Sequence, residues 1–516
     1  MWYGRLSGTP RGIISASFII IFWVLRYSIP PCIHCSEHNL NSIKASKAGF
    51  LSNIGHSGNV QEDPRSEFQP RGVPAHQTQR ERHFISRLTS TRQTLDLPQD
   101  YLSSTYESTF CESRFGVSYL EDLHDSAVQY CTTDSHSDFT CFHSQTIKGR
   151  VDSLCIGRNA IIDPRSAKFN LECELRMLPK SNQPYLTPEY GTFQKYMSDT
   201  GPRVIMDNWV HLERNLQPRQ HGAPKYTILV KREGATNLWH SLLEAFSMSL
   251  TMDVLQISSQ DPDSQPFYTP PDTSNTQVIL LDDHELGPYV HMWSMFADRP
   301  MLRLKDLAGL KPSFENIILP LAGGSNPLWQ SNPPTEGASC EDSALIRIFS
   351  RRVLDHYKIS KLPQHQSPAL VMTFIDRAET RVLLDHTEYL EDLGSAFPDI
   401  LIQEFDFATI SFEDQLEIVQ KTNILVGVHG AGLTHAMFLP PRSTVVEIIP
   451  DKVDNRAYEN LASLMGHSYL SAVSSRAPES FFGTDWHAQA VSLEKAKFKE
   501  VLSIALKAMF NRNRRG

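Results

Sequence analysis

One segment, residues 424–450, constrains the fold of this chain more than any other. It opens with an apolar, β-branched run at 424–428 that has the length and character of a buried strand. Residues 429–432, His-Gly-Ala-Gly, contain two glycines that allow a sharp bend and a close approach to a ligand. Residues 433–439 then predict a short helical turn ended by two prolines, and residues 444–449 predict a second buried strand. This order predicts half of a doubly wound α/β domain with an anion site at the helix N-terminus.

The glycine turn could alternatively belong to a dinucleotide-binding site. That fingerprint requires Gly-x-Gly-x-x-Gly or Ala, whereas the register from Gly430 places His435 at the third position. A βα pattern also precedes the segment, while the dinucleotide motif normally begins its domain. Hydride transfer is therefore disfavoured. A glycine turn that only packs a helix on a sheet would not account for His429 at its mouth.

Three pieces of this segment carry a family resemblance: residues 427–434 (Gly-Val-His-Gly-Ala-Gly-Leu-Thr), Phe438-Leu439-Pro440 and Val446-Glu447-Ile448. Together they resemble the signature of glycosyltransferase family 61. The resemblance implies an α/β fold with two Rossmann-like domains facing a cleft, the GT-B type, and an inverting transfer from a nucleotide sugar. It implies UDP-N-acetylglucosamine as donor, with UDP-xylose as the alternative, and a protein or glycan hydroxyl as acceptor. It implies no cofactor and no metal, because a helix dipole and side chains serve the phosphates in that class.

The donor site follows from the same resemblance. A strand predicted at 369–375 delivers Arg377 at its carboxyl end, with Arg381 one turn further on. A guanidinium there can neutralise the charge that develops on the diphosphate, although a surface ion pair is the alternative, above all for Arg381. Glu447 is expected to hydrogen-bond the ribose or the sugar. The predicted donor-binding residues are Arg377, Arg381, His429, Gly430, Ala431, Gly432, Leu433 and Glu447.

A second motif, Asn237-Leu238-Trp239-His240 with Glu244 four residues on, is similar to another signature of the family. Residues i and i+4 share one face of a helix, so His240 and Glu244 could act on the same substrate proton. We predict Glu244 as the catalytic base, His240 as its partner or a sugar-phosphate contact, and Asn237 and Trp239 as acceptor-side or supporting residues. The alternative is a polar pair that only stabilises the helix.

A further acidic group, Asp282-Asp283-His284, ends a predicted strand and resembles a metal-binding pair. Because the resemblance implies no metal, we predict none there. Asp282 and Asp283 are the reserve candidates for the catalytic base.

The length of 516 residues predicts two globular domains plus tails. The net charge of −9 leaves no electrostatic footprint for nucleic acid. Strands alternating with helices predict parallel sheets. We predict a cytosolic tail at 1–12, a signal-anchor transmembrane helix at 13–29, a disordered stem at 30–94, a cysteine-bearing region at 95–222, a first Rossmann-like, acceptor-side domain at 223–340, and a second, nucleotide-sugar domain with a C-terminal helix at 341–516.

The N-terminal apolar run, 13–25, follows Arg5 and Arg11 and is short for a membrane span. No small-x-small cleavage site follows it, so we predict an uncleaved anchor, with a cleaved signal peptide as the alternative. This places the catalytic part in the lumen of the endoplasmic reticulum or Golgi, on a single-pass type II protein.

Six of the eight cysteines lie between Cys111 and Cys340 and suggest a disulfide framework, with 15 pairings open. Cys32 and Cys35 favour an interchain disulfide or a lipidated thiol over zinc. The sequence thus predicts an inverting glycosyltransferase. The alternatives are a xylosyltransferase, or a lumenal binding module of the same fold that has lost catalysis.

Overall fold

The computed structural model describes residues 97–98, 100–101, 108–147, 149–178, 187–214, 225–261, 263–309, 313–330, 340–359, 369–378, 380–451, 453–476 and 490–513. These residues belong to one compact unit. The predicted tail, anchor and stem, with Cys32 and Cys35, lie outside them. Within the described ranges, no helix combines the length and the apolar character that a membrane span needs.

The N-terminal half, residues 97–330, is built on one nine-stranded sheet. Its elements are α1 (Thr109–Phe115), α2 (Ser118–Asp125), β1 (Val128–Gln129), β2 (Asp138–Ser144), β3 (Asp152–Asp163), β4 (Lys168–Glu172), α3 (Pro202–Trp209), β5 (Val210–Glu213), β6 (Tyr226–Val230), α4 (Leu238–Ile257), β7 (Thr276–Leu280), β8 (Leu302–Arg303), β9 (Ser313–Leu319) and α5 (Pro327–Gln330). The strand order is β1-β2-β3-β9-β6-β7-β8, with β4 beside β3 and β5 beside β4. Strands β9, β6, β7 and β8 run parallel, whereas β3 is antiparallel to β9.

The C-terminal half, residues 340–513, is built on a six-stranded sheet. Its elements are α6 (Ala344–His356), β10 (Leu370–Asp376), α7 (His386–Ala396), β11 (Ile400–Asp406), α8 (Phe412–Gln420), β12 (Ile424–Val428), β13 (Thr444–Pro450), α9 (Ala457–Leu464), β14 (Ser468–Arg476), β15 (Val491–Ser492) and α10 (Lys495–Asn513). The order is β11-β10-β12-β13-β14-β15, parallel except for β15. The mixed α/β class predicted from the sequence is confirmed.

Local sequence predicted most of these elements with small shifts at their ends. The turn expected at 433–439 is a 3-10 helix, Ala431–Phe438, that begins two residues earlier. Helix α8 begins at Phe412, because the Ser411 side chain accepts a hydrogen bond from the Asp414 N–H and caps it. Helix α4 is buried on almost every side, since it contacts α2 of the N-terminal half as well as α6 and the 3-10 helix of the C-terminal half.

The predicted boundary near residue 222 falls inside one sheet. Strand β3, from the cysteine-bearing region, pairs with β9 of the predicted first Rossmann-like domain and places Cys155 opposite Leu319. The boundary therefore does not separate two sheets. Strand β9 forms the edge of the parallel strands, and β3 satisfies the hydrogen-bonding groups that this edge would otherwise leave unpaired.

The predicted disulfide framework is confirmed, and the structure selects one of the open pairings. Cys131 pairs with Cys173, and Cys141 with Cys155, across strands and loops of the N-terminal sheet. Cys111 pairs with Cys340, 229 residues further along the chain. That bond joins α1 of the N-terminal half to the segment that leads into α6.

One buried core connects the two sheets. It includes Ile228 of β6, Leu242 of α4, Phe349 of α6 and Leu425 of β12. A second core cluster fills the opposite face of the C-terminal sheet, under α7 and α10. The arrangement as two domains facing a cleft stays a prediction, but the shared core places the ends of α4 and β12 in one neighbourhood.

Each sheet contains a place where the strand order reverses. In the C-terminal sheet, the chain leaves β10 towards β11 and returns on the other side as β12. In the N-terminal sheet, β6 has β7 on one side and β9 on the other. Ligands of such sheets bind at the carboxyl ends of the strands where the order reverses. Both predicted motifs follow such strands.

Candidate active site

Arg377 follows β10 directly and is held by its own loop. Its Nε donates to the Thr380 carbonyl oxygen at 2.8 Å, and its Nη2 to Thr380 Oγ1 at 2.9 Å. It forms no ion pair with another residue in the described ranges. Burial, and then the charge of the neighbouring Arg381, lower the pKa of Arg377 to about 10. A bound anion would relieve both effects.

Arg381 reaches the glycine turn from the same loop. Its Nη1 donates to the His429 carbonyl oxygen at 2.6 Å, and burial lowers its pKa. Its backbone has a φ of 52°, a left-handed conformation that costs a non-glycine residue free energy. Two partly buried guanidiniums side by side form a site suited to a polyanion such as a diphosphate.

Gly430 makes room for this pair of arginines. A Cβ at this position would collide with Arg377 Nη1 and would lie 3.3 Å from Arg381 Cζ. Gly432 has a different surrounding, because its Cβ would meet Ile375 Cγ2 at 3.1 Å. The first N–H groups of a helix have no partner within it, so those of Ala431 and Gly432 are available to an anion.

Leu433 is the exception among the predicted donor residues. Its side chain is buried in the core, and its N–H donates to the Gly430 carbonyl oxygen at 2.9 Å. The structure therefore gives Leu433 a packing role, because the 3-10 helix turns its side chain under the sheet.

His429 is oriented by a buried carboxylate. Its Nδ1 lies 2.5 Å from Glu447 Oε1, and Glu447 Oε2 accepts a hydrogen bond from the Tyr469 hydroxyl at 2.6 Å. The Glu447 side chain is 0% exposed. Its expected contact with ribose or sugar stays a prediction, and in the structure each of its oxygens already has a partner beneath His429. Glu447 is a positioning residue.

The second motif starts α4. Asn237 is the N-cap, and its side chain accepts from the Trp239 N–H at 3.0 Å. The ring centroid of Trp239 lies 5.5 Å from that of Tyr458, which in turn lies 5.3 Å from that of His429. Tyr458, at the start of α9, thereby joins the two motifs. Sequence reasoning missed it, and no local pattern marks it.

His240 does not pair with Glu244 as predicted. Its Nδ1 lies 2.6 Å from Oε2 of Glu233, a residue that sequence reasoning missed. Glu233 follows the carboxyl end of β6, as Arg377 follows that of β10. A search for charged residues just after predicted strands could therefore have found it. Glu244 instead accepts a hydrogen bond from the Glu233 N–H at 2.5 Å. The loop after β6 folds over the first turn of α4 and supplies this closer partner.

Glu244 is poorly placed to be the base. Burial first, and then the charge of Glu233, raise its pKa well above the usual range, although the Glu233 N–H opposes the shift. Its Oε2 has no hydrogen-bond partner among the described residues. The side chain lines a small cavity with Lys231, Trp293 and Gly323. The burial of the side chain leaves it little access to an acceptor hydroxyl.

We expect Glu244→Gln to reveal this through the pH dependence of stability. A raised pKa favours the protonated form in the folded state, so the wild type is relatively most stable below the unfolded-state pKa of about 4.3. That advantage is lost as the pH rises. The melting temperature of the wild type minus that of Glu244→Gln should therefore fall between pH 4 and pH 7. A constant difference, equal to that of the exposed control Glu413→Gln, would contradict the assignment.

One acid of the predicted group after β7, Asp282, lies in a buried ion pair. Arg232 Nη2 lies 2.8 Å from Asp282 Oδ1, and both side chains are buried. Burial raises the pKa of Asp282, but the hydrogen bonds and charge of Arg232 outweigh it and lower the pKa overall. Arg232 thus occupies the Asp282 carboxylate, whereas Asp283 is exposed, and the role of either acid as a reserve base stays a prediction.

One described cluster offers the donor set of a cation site. Asp376, His386 and Glu404 each bring one ligand atom within 4.8 Å of the others. His386 Nε2 lies 2.8 Å from Glu404 Oε1, and its Nδ1 lies 2.6 Å from the Leu383 carbonyl oxygen. Both ring nitrogens thus have an oxygen partner without a metal. That no metal is required stays a prediction.

A parallel sheet with a cationic cluster where its strand order reverses is typical of α/β proteins that bind phosphorylated ligands. Comparison with known proteins points to one family within this class. Residues 238–446 match the family Glycosyltransferase 61. This range includes His240, Glu244, both arginines and the glycine turn.

Curated proteins give the same result. The chain is 29% identical over 246 residues to the EGF domain-specific O-linked N-acetylglucosamine transferase of Drosophila melanogaster, covering 47% of this chain and 44% of that protein. It is 24% identical over 394 residues to the protein of that name in Bos taurus, covering 72% and 69%. For Rattus norvegicus, the identity is 26% over 393 residues, covering 72% and 69%. The match thus spans less than half of the fly relative and about two thirds of the mammalian ones.

Both comparisons support the assignment of this chain to glycosyltransferase family 61. The matches indicate a glycosyltransferase, the class of enzyme that joins a sugar donor to an acceptor.

Proposed function

We propose that this enzyme transfers N-acetylglucosamine from UDP-N-acetylglucosamine to a hydroxyl group of a protein or glycan, with inversion at the anomeric carbon. The observation that carries the proposal is the pair of guanidiniums packed on Gly430 at the strand-order reversal of the C-terminal sheet. The two predicted Rossmann-like domains would supply the donor on the C-terminal side and the acceptor on the N-terminal side.

The donor diphosphate fits this cluster by charge. Transfer breaks the bond between the anomeric carbon and a phosphate oxygen, so negative charge grows on UDP. Arg377 and Arg381 carry the opposite charge in a partly buried place, where one such donor typically contributes about 10²–10³-fold in rate. The buried Glu447 holds the His429 ring, so that its Nε2, which makes no hydrogen bond in the described part of the chain, can meet the same phosphates.

The sugar and the acceptor follow from the relatives. Their shared name specifies N-acetylglucosamine and an EGF domain. These are accordingly the first donor and the first acceptor to test on this chain. The O-linkage in that name corresponds to a serine or threonine hydroxyl, which a single displacement can join to the anomeric carbon.

The disulfides support a place in the secretory pathway. All six cysteines between Cys111 and Cys340 are paired in three disulfides, which form and persist in oxidising compartments. Together with the anchor predicted at 13–29, this supports a single-pass type II protein of the endoplasmic reticulum or Golgi membrane with a lumenal catalytic part.

The test uses the full chain purified from a secretory expression host. It is incubated with an EGF domain and, in parallel, UDP-N-acetylglucosamine, UDP-xylose or UDP-glucose. We expect UDP release and a mass gain of one N-acetylhexosamine on the EGF domain, unchanged by EDTA and absent when the acceptor serines and threonines are alanine. NMR of the product determines the anomeric configuration. Transfer of xylose alone would replace the donor, and UDP binding without turnover towards any acceptor would favour the binding module.

A further inference from the structure

We propose that His240 accepts the proton of the acceptor hydroxyl, and that the buried carboxylate of Glu233 positions it for that step. The inference rests on the proposed transfer reaction and names the base within it. It replaces Glu244, which the sequence had indicated.

The hydrogen bonding of His240 leaves one nitrogen for the substrate. Glu233 Oε2 is 2.6 Å from Nδ1, so the carboxylate places the imidazole proton on Nδ1 and the free electron pair on Nε2. Nε2 makes no hydrogen bond with any residue in the described ranges. The Glu233 side chain is 1% exposed, whereas that of His240 is 22% exposed. The carboxylate is thus shielded while the ring reaches solvent.

Surrounding residues hold this pair in place. Glu244 accepts from the Glu233 N–H, which anchors the loop after β6 on the first turns of α4. A Cβ at Gly323 would lie 3.2 Å from Glu233 Oε1 and 2.8 Å from Glu244 Cγ, so this glycine makes room for both acids. The His240 ring packs against Trp329, with 5.3 Å between ring centroids. Glu233 and Trp329 therefore both limit the orientation of the ring.

The pair also adjoins the donor cluster. Its neighbour in sequence, Trp239, contacts Tyr458, and Tyr458 contacts His429. His240 thus stands on the N-terminal side of an aromatic junction whose C-terminal side is the predicted diphosphate site. A base in that position faces an acceptor that approaches from the N-terminal half.

The arrangement repeats across the junction. His429 has its Nδ1 against the buried carboxylate of Glu447, as His240 has against Glu233. The two residues differ in their surroundings, because the Arg381 guanidinium donates to the His429 carbonyl oxygen and Arg377 lies beside the next residue, Gly430. The difference assigns His429 to the phosphates and His240 to the hydroxyl.

In the proposed transfer step, two bonds break and two bonds form. The acceptor O–H bond breaks, its proton goes to His240 Nε2, and the oxygen forms a bond to the anomeric carbon. The bond from that carbon to the phosphate oxygen breaks, and its electron pair leaves with UDP. Glu233 stabilises the resulting imidazolium, which then releases its proton to water.

The experiment measures transfer to an EGF domain by the full chain and its variants His240→Ala, Glu233→Gln and the double variant. A general base typically contributes about 10²–10⁴-fold, so His240→Ala should lower kcat by that factor. The KM for UDP-N-acetylglucosamine and the UDP-induced rise in melting temperature should stay unchanged. Added imidazole should restore part of the activity of His240→Ala, which a purely structural histidine would not allow. His211→Ala, on an exposed strand position, is the matched control.

Glu233→Gln tests the positioning role. It should lower kcat at least tenfold in the wild-type background and have no further effect in His240→Ala, because a positioning residue acts only through the group that it positions. If His240→Ala does not fold, the test uses His240→Gln instead, together with the effect of Glu233→Gln on kcat.

Two outcomes would overturn the inference: near-normal transfer by His240→Ala, or a larger loss in Glu244→Gln than in His240→Ala. An inactive wild type would instead refute the proposed function.

Discussion

Arg377→Ala should abolish the UDP-induced rise in melting temperature and lower transfer by about 10²–10³-fold, the usual effect of removing one group that stabilises developing negative charge. A ligand that binds only the folded state raises the free energy of unfolding by mass action, so loss of the shift reports loss of binding. The unliganded protein should keep a nearly normal melting temperature, because burial and Arg381 already disfavour the Arg377 charge in the folded state.

Two further variants refine this test. Arg377→Lys keeps a positive charge but loses the planar fork of donors, so it should recover only part of the UDP shift. Arg214→Ala makes the same chemical change at an exposed ion pair with Glu174 and should change neither UDP binding nor transfer. A full UDP shift in Arg377→Ala would exclude this arginine from the donor site.

Gly430→Ala should be nearly as damaging to donor binding, although it removes no functional group. The added methyl would collide with Arg377 Nη1 and crowd Arg381 Cζ, so both guanidiniums must leave their present positions. We expect transfer to fall by at least about tenfold, since small misplacements of groups that position a substrate can cost about 10²-fold. UDP titration followed by calorimetry measures the lost affinity directly.

Gly432→Ala is the matched control, two residues further on. Its methyl would meet only the Ile375 side chain, at 3.1 Å from Cγ2. This change should lower the melting temperature through crowding in the core and leave the affinity for UDP close to normal. If both glycine variants lost affinity equally, the effect would belong to the glycine turn as a whole and not to the arginines.

The positions of the reacting groups could be predicted in part. The apolar run at 424–428, the glycines that follow it and Arg377 after β10 are local patterns, and each lies where the sequence indicated. Asn237 caps α4 for an equally local reason, because a cap bonds to a backbone group two residues away. The six cysteines indicated a disulfide framework, whereas their spacing left 15 pairings open.

The partners of these groups could not be predicted. From the sequence, Glu447 was predicted to contact the ligand. Nothing near it in the sequence shows that Tyr469, 22 residues further along, donates to its second oxygen. His240 and Glu244 share a helix face, yet the loop after β6 brings Glu233 to His240 instead. Strand β3 joined the parallel strands because β9 left an edge to be covered.

The sequence by itself therefore determined which residues lie at strand ends, glycine turns and helix caps, because such features depend on backbone preferences and neighbours within about four positions. Only the tertiary structure decided which carboxylate faces which histidine, and that Tyr458 joins the two motifs. Those contacts arise from the packing of α4, α9 and two sheets around one core. The shape of that core depends on all of its residues together.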